Sequence, residues 1–374
     1  MLNKLRILIV EDNLDVVESY ERTIKIFNKK QDKYEFFSDV AKNKAEAIDK
    51  LNITENSFDG AIIDIDLENQ GGEDSSGLDV IRLIKRTERF PVFIISGTTH
   101  QLIDDDDIEN DLYRIFIKGE AFDFIEEFVN IHSTGITDIL NRTGKIEEYI
   151  NTIYWEHLST SLSPWIKDNI RNEEDKKQSL IRYFIFHLQE YLDISNEDQE
   201  FSDYFPAEFF ITGPIKKSIF TGDIFYYEKK RYVVITPACD FGKKSIKNIL
   251  CVEISELPDI SEELNEHETK PNAKTIKRLT KYLNNSHSDR LHFIPSLEYR
   301  KEIFPEGIID FQNQQNFSKD IFSADDSKIR RIATISQPFL KDLIERFSSY
   351  YSRQGAPNMS EIQLQNSYLK WSSK

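Results

Sequence analysis

Apolar and amphipathic segments alternate five times along the first third of the chain. Residues 5–10, LRILIV, form a continuous apolar run that stops at Glu11 and Asp12, which is typical of a buried parallel strand at its carboxyl end. In the segment that follows, apolar residues recur at near-helical spacing, and Asn13 or Asp15 can cap the helix that this spacing predicts. The pattern therefore begins with a strand and then a helix.

The same order of strand and helix recurs four more times. The further pairs are YEFFSDVA with KAEAIDKL, DGAIIDIDL with GLDVIRLIKR, PVFIISG with a helix over about 103–112, and YRIFIK with FDFIEEFVNI. Parallel strands need crossover connections, and because such connections are right-handed, helices cover both faces of the sheet. The pattern predicts an α/β doubly wound domain over residues 1–132.

Charged and hydroxyl side chains follow four of the five predicted strands. They are Glu11 and Asp12, Asp64, Ser96, and Lys118, and ligands of such sheets bind in the crevice beyond the carboxyl ends of the strands. Converging carboxylates repel one another unless a cation joins them, and Mg²⁺ favours oxygen ligands. With the metal bound, Asp64 can act as a nucleophile toward phosphorus while Ser96 and Lys118 hold the transferred oxygens. The alternative is a set of surface charges without chemistry.

In order and spacing, these residues resemble the receiver domains of two-component response regulators, which have the flavodoxin-like strand order 2-1-3-4-5. Gly77, at the start of the GLDVI helix, also matches. The resemblance implies that Asp64 accepts a phosphoryl group from a histidine kinase or phosphotransfer protein. Ser96 would then reorient toward the phosphoryl group, and Lys118 would pair with it. The implied Mg²⁺ ligands are Glu11, Asp12, Asp64 and the main-chain carbonyl of Asp66.

Three features depart from the pattern of that family. Gly119 stands where a proline usually follows the lysine, so no cis peptide bond is expected there. Ile115 takes the place of the Tyr or Phe that normally moves with the hydroxyl residue, and neighbouring Phe116 either substitutes for it or belongs to the core. The loop from Asp64 to Gly77 is longer and more acidic than usual. We therefore expect the usual phosphorylation chemistry with an unusual coupling to the output.

A second resemblance is to the DxD motif of haloacid-dehalogenase-like phosphatases, which residues 64–66 form here. That motif continues to Thr or Val two residues on, whereas this chain has Glu68. The phosphatase interpretation also gives no role to the acidic pair after the first strand, so the receiver interpretation explains more of the strand ends.

For the other two thirds of the chain we predict three segments. They are a helical connector at 133–204, a β-rich α+β output domain at 205–355 that ends in a helix, and a polar, fraying tail at 356–374. In the connector, KIEEYINTIYWEHL and QSLIRYFIFHLQEYL have apolar residues at three- and four-residue steps, with a surface turn predicted at 172–177 between them. In the output domain, IFYYEKKRYVVIT predicts a hairpin around a charged turn. Gly222-Asp223 before it predicts another hairpin turn.

Composition limits the cellular setting. Hydrophobic content of 39% with 12% aromatic residues indicates a globular protein, and no apolar run reaches the roughly 18 residues of a membrane span. Two cysteines, Cys239 and Cys251, are too few for a disulfide framework. These features predict a cytoplasmic protein. The net charge of −17 opposes attraction to a polyanion, although Lys and Arg gather between about 215 and 300.

The output region leaves two hypotheses open. Because no helix-turn-helix pattern is present, an ordinary transcription domain is not predicted. The region either acts through another protein under the control of phosphorylation or binds or acts on nucleic acid. Receiver-containing proteins of bacterial phage-defence relays offer an analogy for the setting. The basic stretch 274–281 separates the hypotheses: on one exposed face with Tyr226 and Tyr227 it favours nucleic acid, and scattered it favours protein interaction.

No separate enzymatic motif is evident in the output region. Cys239 with His292 or His267 would form a nucleophile and base only if the side chains meet in space, and a small buried cysteine beside a strand end is the alternative. His187 lies on an apolar helical face, which is typical of a core histidine.

Overall fold

The computed structural model of the protein describes residues 2–30, 33–53, 57–65, 67, 76–97, 110–119, 122–193, 203–243, 246–256, 273–322, 328–353 and 359–372. The chain divides into two compact units, Met1–Ser202 and Asp203–Lys374. The division into four segments that the sequence predicts is finer than this one and stays a prediction.

The first unit is built on a five-stranded parallel sheet. Its strands are β1 (Asn3–Val10), β2 (Tyr34–Ala41), β3 (Gly60–Asp64), β4 (Val92–Ser96) and β5 (Tyr113–Ile117). They lie in the order β2-β1-β3-β4-β5, and each neighbouring pair is parallel. Since this is the flavodoxin-like order of doubly wound folds, the parallel α/β sheet predicted for this segment is confirmed.

Helices lie between these strands and after them. They are α1 (Leu14–Asn28), α2 (Lys44–Asn52), α3 (Ser76–Thr87) and α4 (Phe124–His132). Asn13 caps α1, because its side-chain oxygen accepts a 3.0 Å hydrogen bond from the amide of Asp15. Of the helix predicted over 103–112, residues 103–109 lie outside the described residues, and 110–112 form a bridge and a turn.

Each face of the sheet has its own apolar core. Leu8 and Ile63 lie on the face that packs against α2 and α3, whereas Ile9 and Ile62 lie on the face that packs against α1 and α4. Successive side chains of a strand point to opposite faces, so a sheet covered on both sides needs uninterrupted apolar strands. The run LRILIV meets this requirement.

Helices continue from residue 136 to residue 193. They are α5 (Ile136–Leu140), α6 (Lys145–Thr152), a π-helical segment (Ile153–Leu158), α7 (Ser159–Ser161), α8 (Ser163–Lys167) and α9 (Glu173–Asp193). The surface turn predicted at 172–177 is wrong, because α9 begins there. The side chain of Asn172 accepts a 2.8 Å hydrogen bond from the amide of Asp175, and acidic residues in the first turn stabilise the positive end of the helix dipole.

The first connector helices are tied to the C-terminal end of α3. Arg89 donates a 2.5 Å hydrogen bond to the carbonyl of Leu140 and pairs with Glu147 at 2.5 Å. Arg142 forms an ion pair with Glu88. Because residues 88 and 89 directly follow α3, a movement of this helix would reach the connector.

The second unit is built on a seven-stranded antiparallel sheet and a separate two-stranded hairpin. The strands are β6 (Phe210–Thr212), β7 (Asp223–Tyr227), β8 (Lys230–Val234), β9 (Asn248–Ser255), β10 (Leu291–Ile294), β11 (Leu297–Tyr299), β12 (Glu302–Phe304), β13 (Gly307–Ser318) and β14 (Ile329–Ile335). The large sheet has the order β10-β13-β9-β8-β7-β14-β6, and β11 pairs with β12. The β-rich character predicted for this region is confirmed.

Short and long helices accompany this sheet. The α-helices are α10 (Ala238–Phe241), α11 (Ala273–Leu283), α12 (Gln337–Ser352) and α13 (Glu361–Ser372), and 3-10 turns span Pro206–Phe209 and Lys319–Phe322. The terminal helix predicted for the output domain is α12. The prediction of a fraying tail is wrong for residues 361–372, because they form α13. The segment EIQLQNSYLKWS contains neither glycine nor proline, the residues least favourable in a helix.

Two sequence signals near β7 have different outcomes. The predicted charged hairpin is present, and its turn residues Glu228 and Lys229 have φ values of 49° and 66°, the left-handed backbone of a type I′ turn. At Gly222-Asp223 the predicted turn is present, since Gly222 has a φ of 86° and the amide of Asp223 donates a 3.1 Å hydrogen bond to the carbonyl of Phe220. It closes no hairpin, because β14 lies between β6 and β7 in the sheet. Asp223 is the buried first residue of β7 and pairs with Arg331 at 2.7 Å, so its carboxylate has a structural role that the sequence does not reveal.

Both cysteines are free thiols. Cys239 is exposed, and Cys251 is buried in the second unit, where burial raises the pKa of its thiol and so disfavours the reactive thiolate. Among the described helices, none has the length and apolar character that crossing a bilayer requires.

His132 makes the stability of the first unit sensitive to pH. It is buried at the end of α4, with its Nδ1 atom 2.5 Å from the hydroxyl of Thr137. Burial lowers the pKa of His132 from 6.5 to about 4. Between these values the unfolded chain takes up a proton that the folded chain does not, so the free energy of unfolding decreases as the pH falls. For a change from pH 7 to pH 5, we predict that His132→Asn loses about 2 kcal/mol less than the wild type.

Urea unfolding at pH 7 and pH 5, followed by the fluorescence of Trp155 and Trp165, measures this difference. Thr137→Val is the control, because it removes the hydroxyl but keeps the histidine, and it should keep most of the pH dependence. An identical pH dependence in the wild type and His132→Asn would contradict the prediction.

Candidate functional site

The register of β1 and β3 brings two carboxylates together. Val10 lies opposite Ile63, and Glu11 and Asp64 follow at the carboxyl ends of the two strands. The amide of Glu11 donates a 3.0 Å hydrogen bond to the carbonyl of Ala41 at the end of β2, which fixes the residue in the sheet. Glu11 and Asp64 are each only 1% exposed. The fold therefore buries two acidic side chains next to each other.

Asp12 completes an acidic cluster at this edge of the sheet. Carboxylate oxygens of Glu11, Asp12 and Asp64 lie within 4.8 Å of one another. At such distances like charges repel, and the repulsion is strongest where water is excluded. Of the residues predicted as metal ligands, these three are brought together. The fourth, Asp66, lies outside the described residues.

Glu11 shows that the cluster fits a cation. Its Oε1 atom accepts a 3.0 Å hydrogen bond from the amide of Asn13, whereas its Oε2 atom is buried and, within the described residues, has no hydrogen-bond partner. Burial, and to a smaller extent the Asp64 carboxylate, raises the pKa of Glu11 to about 7. A hard divalent cation such as Mg²⁺ binds carboxylate oxygens of this kind and would satisfy the buried atom.

Lys118 lies on the other side of Asp64. The strand β5 ends at Ile117, and the ammonium of Lys118 lies 2.6 Å from Oδ2 of Asp64. Its side chain is partly exposed while the carboxylate is buried, so the ammonium reaches inward from the surface. This charge-assisted hydrogen bond stabilises the ionised form of Asp64. The juxtaposition of Asp64 and Lys118 expected from the sequence is therefore present.

Gly77 is required by the approach of α3 to the acidic cluster. A Cβ atom added at residue 77 would lie 2.5 Å from the carbonyl oxygen of Asp64 and 2.7 Å from the Cα of Ile65. A side chain would push α3 away from the end of β3. Gly119, after Lys118, has a φ of 94°, a left-handed conformation that glycine adopts without strain. Both glycines thus have a conformational reason for their positions.

The remaining signals near strands β4 and β5 have mixed outcomes. Ser96 is the last residue of β4, opposite Ile117 of β5, and the position of its hydroxyl lies outside the description. Phe116 belongs to the core: its ring stacks on Phe122 with the ring centroids 3.6 Å apart, and it contacts Phe93 edge to face. Phe116 therefore packs as a core residue.

Tyr20 is a neighbour of the site that the sequence pattern does not identify. It lies on α1 and packs edge to face against Phe124. Burial, then the negative charges of Glu11 and Asp64, raises the pKa of its hydroxyl to about 12. In the sequence Tyr20 is one of several apolar positions of an amphipathic helix, so nothing distinguishes it before the fold is known.

Of the two candidate pairs of the second unit, the described one, Cys239 with His292, does not meet. Cys239 follows β8, and its thiol lies 3.9 Å from the carboxylate of Asp240. His292 lies on β10, which β9 and β13 separate from β8, and its Nε2 atom is 3.2 Å from Asp342. His267 lies outside the described residues. The arrangement gives Cys239 no base from His292.

The tyrosines of the hairpin are packing residues. Tyr226 contacts Phe304, and Tyr227 contacts Phe317, so the two rings lie in the cores of opposite faces of the sheet. They form no shared stacking surface with the basic stretch 274–281. His187 of α9 is half-buried against Tyr183, with the ring centroids 4.4 Å apart.

Comparisons with known proteins found similar solved structures at low sequence identity. No protein-family model matches the chain, and no curated protein matches its sequence. The N-terminal domain of a response regulator/sensory box/GGDEF three-domain protein from Carboxydothermus hydrogenoformans is 16% identical, with 35% of this chain and 98% of that chain covered and a TM-score of 0.27.

Two further structures are similar at the same level. A response regulator receiver protein from Burkholderia phymatum is 15% identical, covering 37% of this chain and 98% of its own, with a TM-score of 0.26. RcsB from Salmonella enterica serovar Typhimurium, solved bound to promoter rprA, is 15% identical, covering 51% of this chain and 98% of its own, with a TM-score of 0.26. We base the fold of the first unit on its own strand order and draw no functional conclusion from these likenesses.

Asp12 and Lys118 should have separable effects on metal binding. We predict that Asp12→Ala weakens Mg²⁺ binding at least about tenfold, because it removes one of three clustered carboxylates. Lys118→Ala should bind Mg²⁺ as tightly as the wild type or more tightly, because the ammonium contacts Asp64 and repels a cation. Calorimetric titration with Mg²⁺ measures both affinities.

Asp15→Ala provides the control for the loss of a carboxylate, since Asp15 is exposed on the first turn of α1. It should leave the affinity for Mg²⁺ unchanged. Equal affinities in the wild type and Asp12→Ala would show that Asp12 is not a ligand.

Proposed function

We propose that the protein is a response regulator of a two-component phosphorelay in which Asp64 accepts the phosphoryl group. The observation that supports this most is the setting of Asp64, a buried carboxylate between Glu11 and Asp12 on one side and the Lys118 ammonium at 2.6 Å on the other. A purely structural ion pair has no need of two further carboxylates. An acidic cluster beside a nucleophilic carboxylate and an ammonium suits phosphoryl transfer.

The reaction is a displacement at phosphorus. An oxygen of the Asp64 carboxylate attacks the phosphorus of the donor, the bond from phosphorus to the donor's leaving atom breaks with its electron pair, and an acyl phosphate forms. The donor is the phosphohistidine of a histidine kinase or of a phosphotransfer protein. Mg²⁺, bound by Glu11, Asp12, Asp64 and the carbonyl of Asp66, would supply neutralisation of the phosphoryl charge.

Lys118 and Ser96 hold the transferred group. The acyl phosphate has about two negative charges where the carboxylate had one, so the ammonium of Lys118 gains a stronger partner than the carboxylate it contacts at 2.6 Å. The hydroxyl of Ser96, at the end of the neighbouring strand β4, donates to a second phosphoryl oxygen. Ile115 has no aromatic ring that could move with the Ser96 hydroxyl, and Phe116 is held by packing. The proposed response therefore needs no change of an aromatic rotamer.

The helix α3 offers a route from Asp64 to the connector. At its N-terminal end, Gly77 lies against the backbone of Asp64, and directly after its C-terminal end Glu88 pairs with Arg142 of the connector. A helix of 12 residues is about 18 Å long. A small displacement of the loop at Asp64 would therefore move a rigid element that is bound to the connector at its far end.

A cavity beside this attachment leaves room for such a movement. It has a volume of about 360 Å³ and is lined by the end of α3, the starts of β4 and β5, and α5, with Lys85, Phe90, Tyr113 and Leu140 among its residues. Densely packed interfaces resist small displacements, whereas an attachment beside an open pocket is less constrained by its neighbours. Two-state elements are what a local charge change can shift.

The second unit is the output, and we propose that it acts through contacts with another protein. Tyr226 and Tyr227 are partly buried and pack on opposite faces of the sheet, and Cys239 and His292 are separated, so these residues support neither a single-strand stacking surface nor a catalytic pair. A second candidate, an output that binds nucleic acid, is favoured by one observation. The basic residues of α11 follow one another at helical spacing, and its lysines are exposed.

We predict that the wild type gains one acid-labile phosphoryl group when it is treated with acetyl phosphate and Mg²⁺, because Asp64 has the nucleophile, the metal cluster and the ammonium that the reaction needs. Intact-mass measurement detects the gain, and omission of Mg²⁺ should abolish it. Asp64→Asn should gain nothing, whereas Asp15→Asn, which changes an exposed carboxylate near the cluster, should react like the wild type. The assignment fails if the wild type is unmodified or if Asp64→Asn gains the same mass.

We also predict that phosphorylation alters hydrogen exchange in α3 and over residues 136–147, in addition to the loops after β4 and β5. The double variant Arg89→Met/Arg142→Met removes the pairs with Glu147 and Glu88 and should confine the change to the sheet and α3. Arg82→Met, which removes an exposed partner of Asp79 on the same helix, should leave the pattern as in the wild type. If protection changes in the wild type stay within residues 1–130, the coupling to the connector is wrong, and the domain acts as a phosphate sink.

A further inference from the structure

The net negative charge of the protein comes from its first unit, because the second unit is close to neutral. Residues 203–374 contain 25 Lys and Arg against 23 Asp and Glu, a formal charge of +2, which leaves −19 for residues 1–202. Exposed charges farther apart than the Debye length, about 8 Å at physiological salt, are largely screened. The total of −17 therefore does not exclude a local cationic surface in the second unit.

Helix α11 presents such a surface. Lys274, Lys277 and Lys281 are separated by three and four residues, so they follow one stripe of the helix, and Arg278 lies on the same arc. The opposite arc holds α11 on the sheet: Tyr282 is buried there in a cluster with Leu279, Ile308, Leu291 and Phe293. Because this packing fixes the rotation of the helix, the three lysines point to solvent.

These lysines differ from many other cations of the second unit. Arg290, Arg330, Arg331, Arg353, Lys230 and Lys243 each form an ion pair with a carboxylate. Among the described residues, no ion pair is formed by Lys274, Lys277 or Lys281. Ammonium groups on one helix stripe repel one another, and an anionic partner that touches all three would remove this repulsion.

The geometry of the stripe suits a duplex backbone better than a single strand. Lys274 and Lys281 are about 10 Å apart along the helix axis, at a rise of about 1.5 Å per residue, which corresponds to roughly three steps of about 3.4 Å along a DNA strand. Single strands are held by aromatic side chains on which bases stack. Here Tyr282 is buried and stacked on His287, with the ring centroids 4.0 Å apart, and Tyr226 and Tyr227 are core residues.

We propose that Lys274, Lys277 and Lys281 of α11 form a binding surface for the phosphodiester backbone of duplex nucleic acid. Lysine ammonium groups are point charges that contact phosphates without reading base edges, so the binding is independent of sequence. This is a non-specific surface and differs from an operator-reading domain. The proposal develops the second candidate for the output, and it does not require phosphorylation of Asp64.

Fluorescence anisotropy of a labelled 20-base-pair duplex, titrated with the full-length protein at several salt concentrations, tests the surface. Loss of three phosphate contacts should make the slope of log K against log salt less negative by about 3 in Lys274→Gln/Lys277→Gln/Lys281→Gln, and should weaken binding at least about tenfold at 50 mM salt. A scrambled duplex should bind the wild type equally, and a single strand more weakly.

The matched control is Lys217→Gln/Lys247→Gln/Lys341→Gln, which removes the same charge from three other exposed lysines of the second unit. It should keep the salt slope of the wild type, and far-ultraviolet circular dichroism should confirm that both triple variants are folded. Asp64→Asn should bind the duplex like the wild type, so that a failure of the phosphorylation proposal would leave this result unchanged.

Several results would overturn the proposal. The wild type could fail to bind the duplex at 50 mM salt, the α11 variant could bind like the wild type, or the control variant could lose as much affinity. Vesicles with a quarter of anionic lipid form a further arm. If they bind more tightly than the duplex and the α11 variant loses that binding, the surface contacts membranes and the assignment to nucleic acid is wrong.

Discussion

The burial of two carboxylates at the carboxyl ends of β1 and β3 is the constraint on which the first unit depends. Glu11 and Asp64 are each 1% exposed, in a cluster whose oxygens lie within 4.8 Å of one another. Uncompensated, such a pair opposes folding, because each charge loses hydration and repels the other. Lys118 compensates Asp64 directly. Glu11 keeps a buried oxygen without a partner among the described residues, and a cation bound there would stabilise the fold.

This constraint also determines the structure around the cluster. The strand ends must meet at one edge, which the parallel order β2-β1-β3-β4-β5 provides. The helix α3 must start close to Asp64, and Gly77 allows this because any Cβ there would lie 2.5 Å from a carbonyl oxygen. The same helix ends at the residues that hold the connector. The acidic cluster and the attachment of the connector thus contact the two ends of one rigid helix.

The sequence was sufficient to predict the features that depend on hydrophobic periodicity and on the residues at strand ends. It was not sufficient for residues whose environment depends on contacts between segments far apart in the chain. Apolar runs ending in acidic residues were sufficient for the parallel sheet and for bringing Glu11, Asp12 and Asp64 together. Asp223, interpreted as a turn residue, is buried because Arg331, more than 100 residues away in sequence, pairs with it. Tyr20 gains its place beside the cluster only through the packing of α1. Residues 172–177 were interpreted as a turn because they are polar and charged, but acidic residues are also favourable at the start of a helix, where α9 begins.

The division of charge between the units limits how a phosphoryl group can signal. Phosphorylation changes the charge of a unit that already has −19 by about one unit, and beyond about 8 Å salt screens this change. A long-range electrostatic signal is therefore weak. In the proposed mechanism, the signal therefore begins at the Lys118 ammonium, which contacts Asp64, and at the start of α3, where Gly77 lies against the Asp64 backbone. For α11, screening means that the total charge of −17 does not by itself exclude the proposed contact with a polyanion.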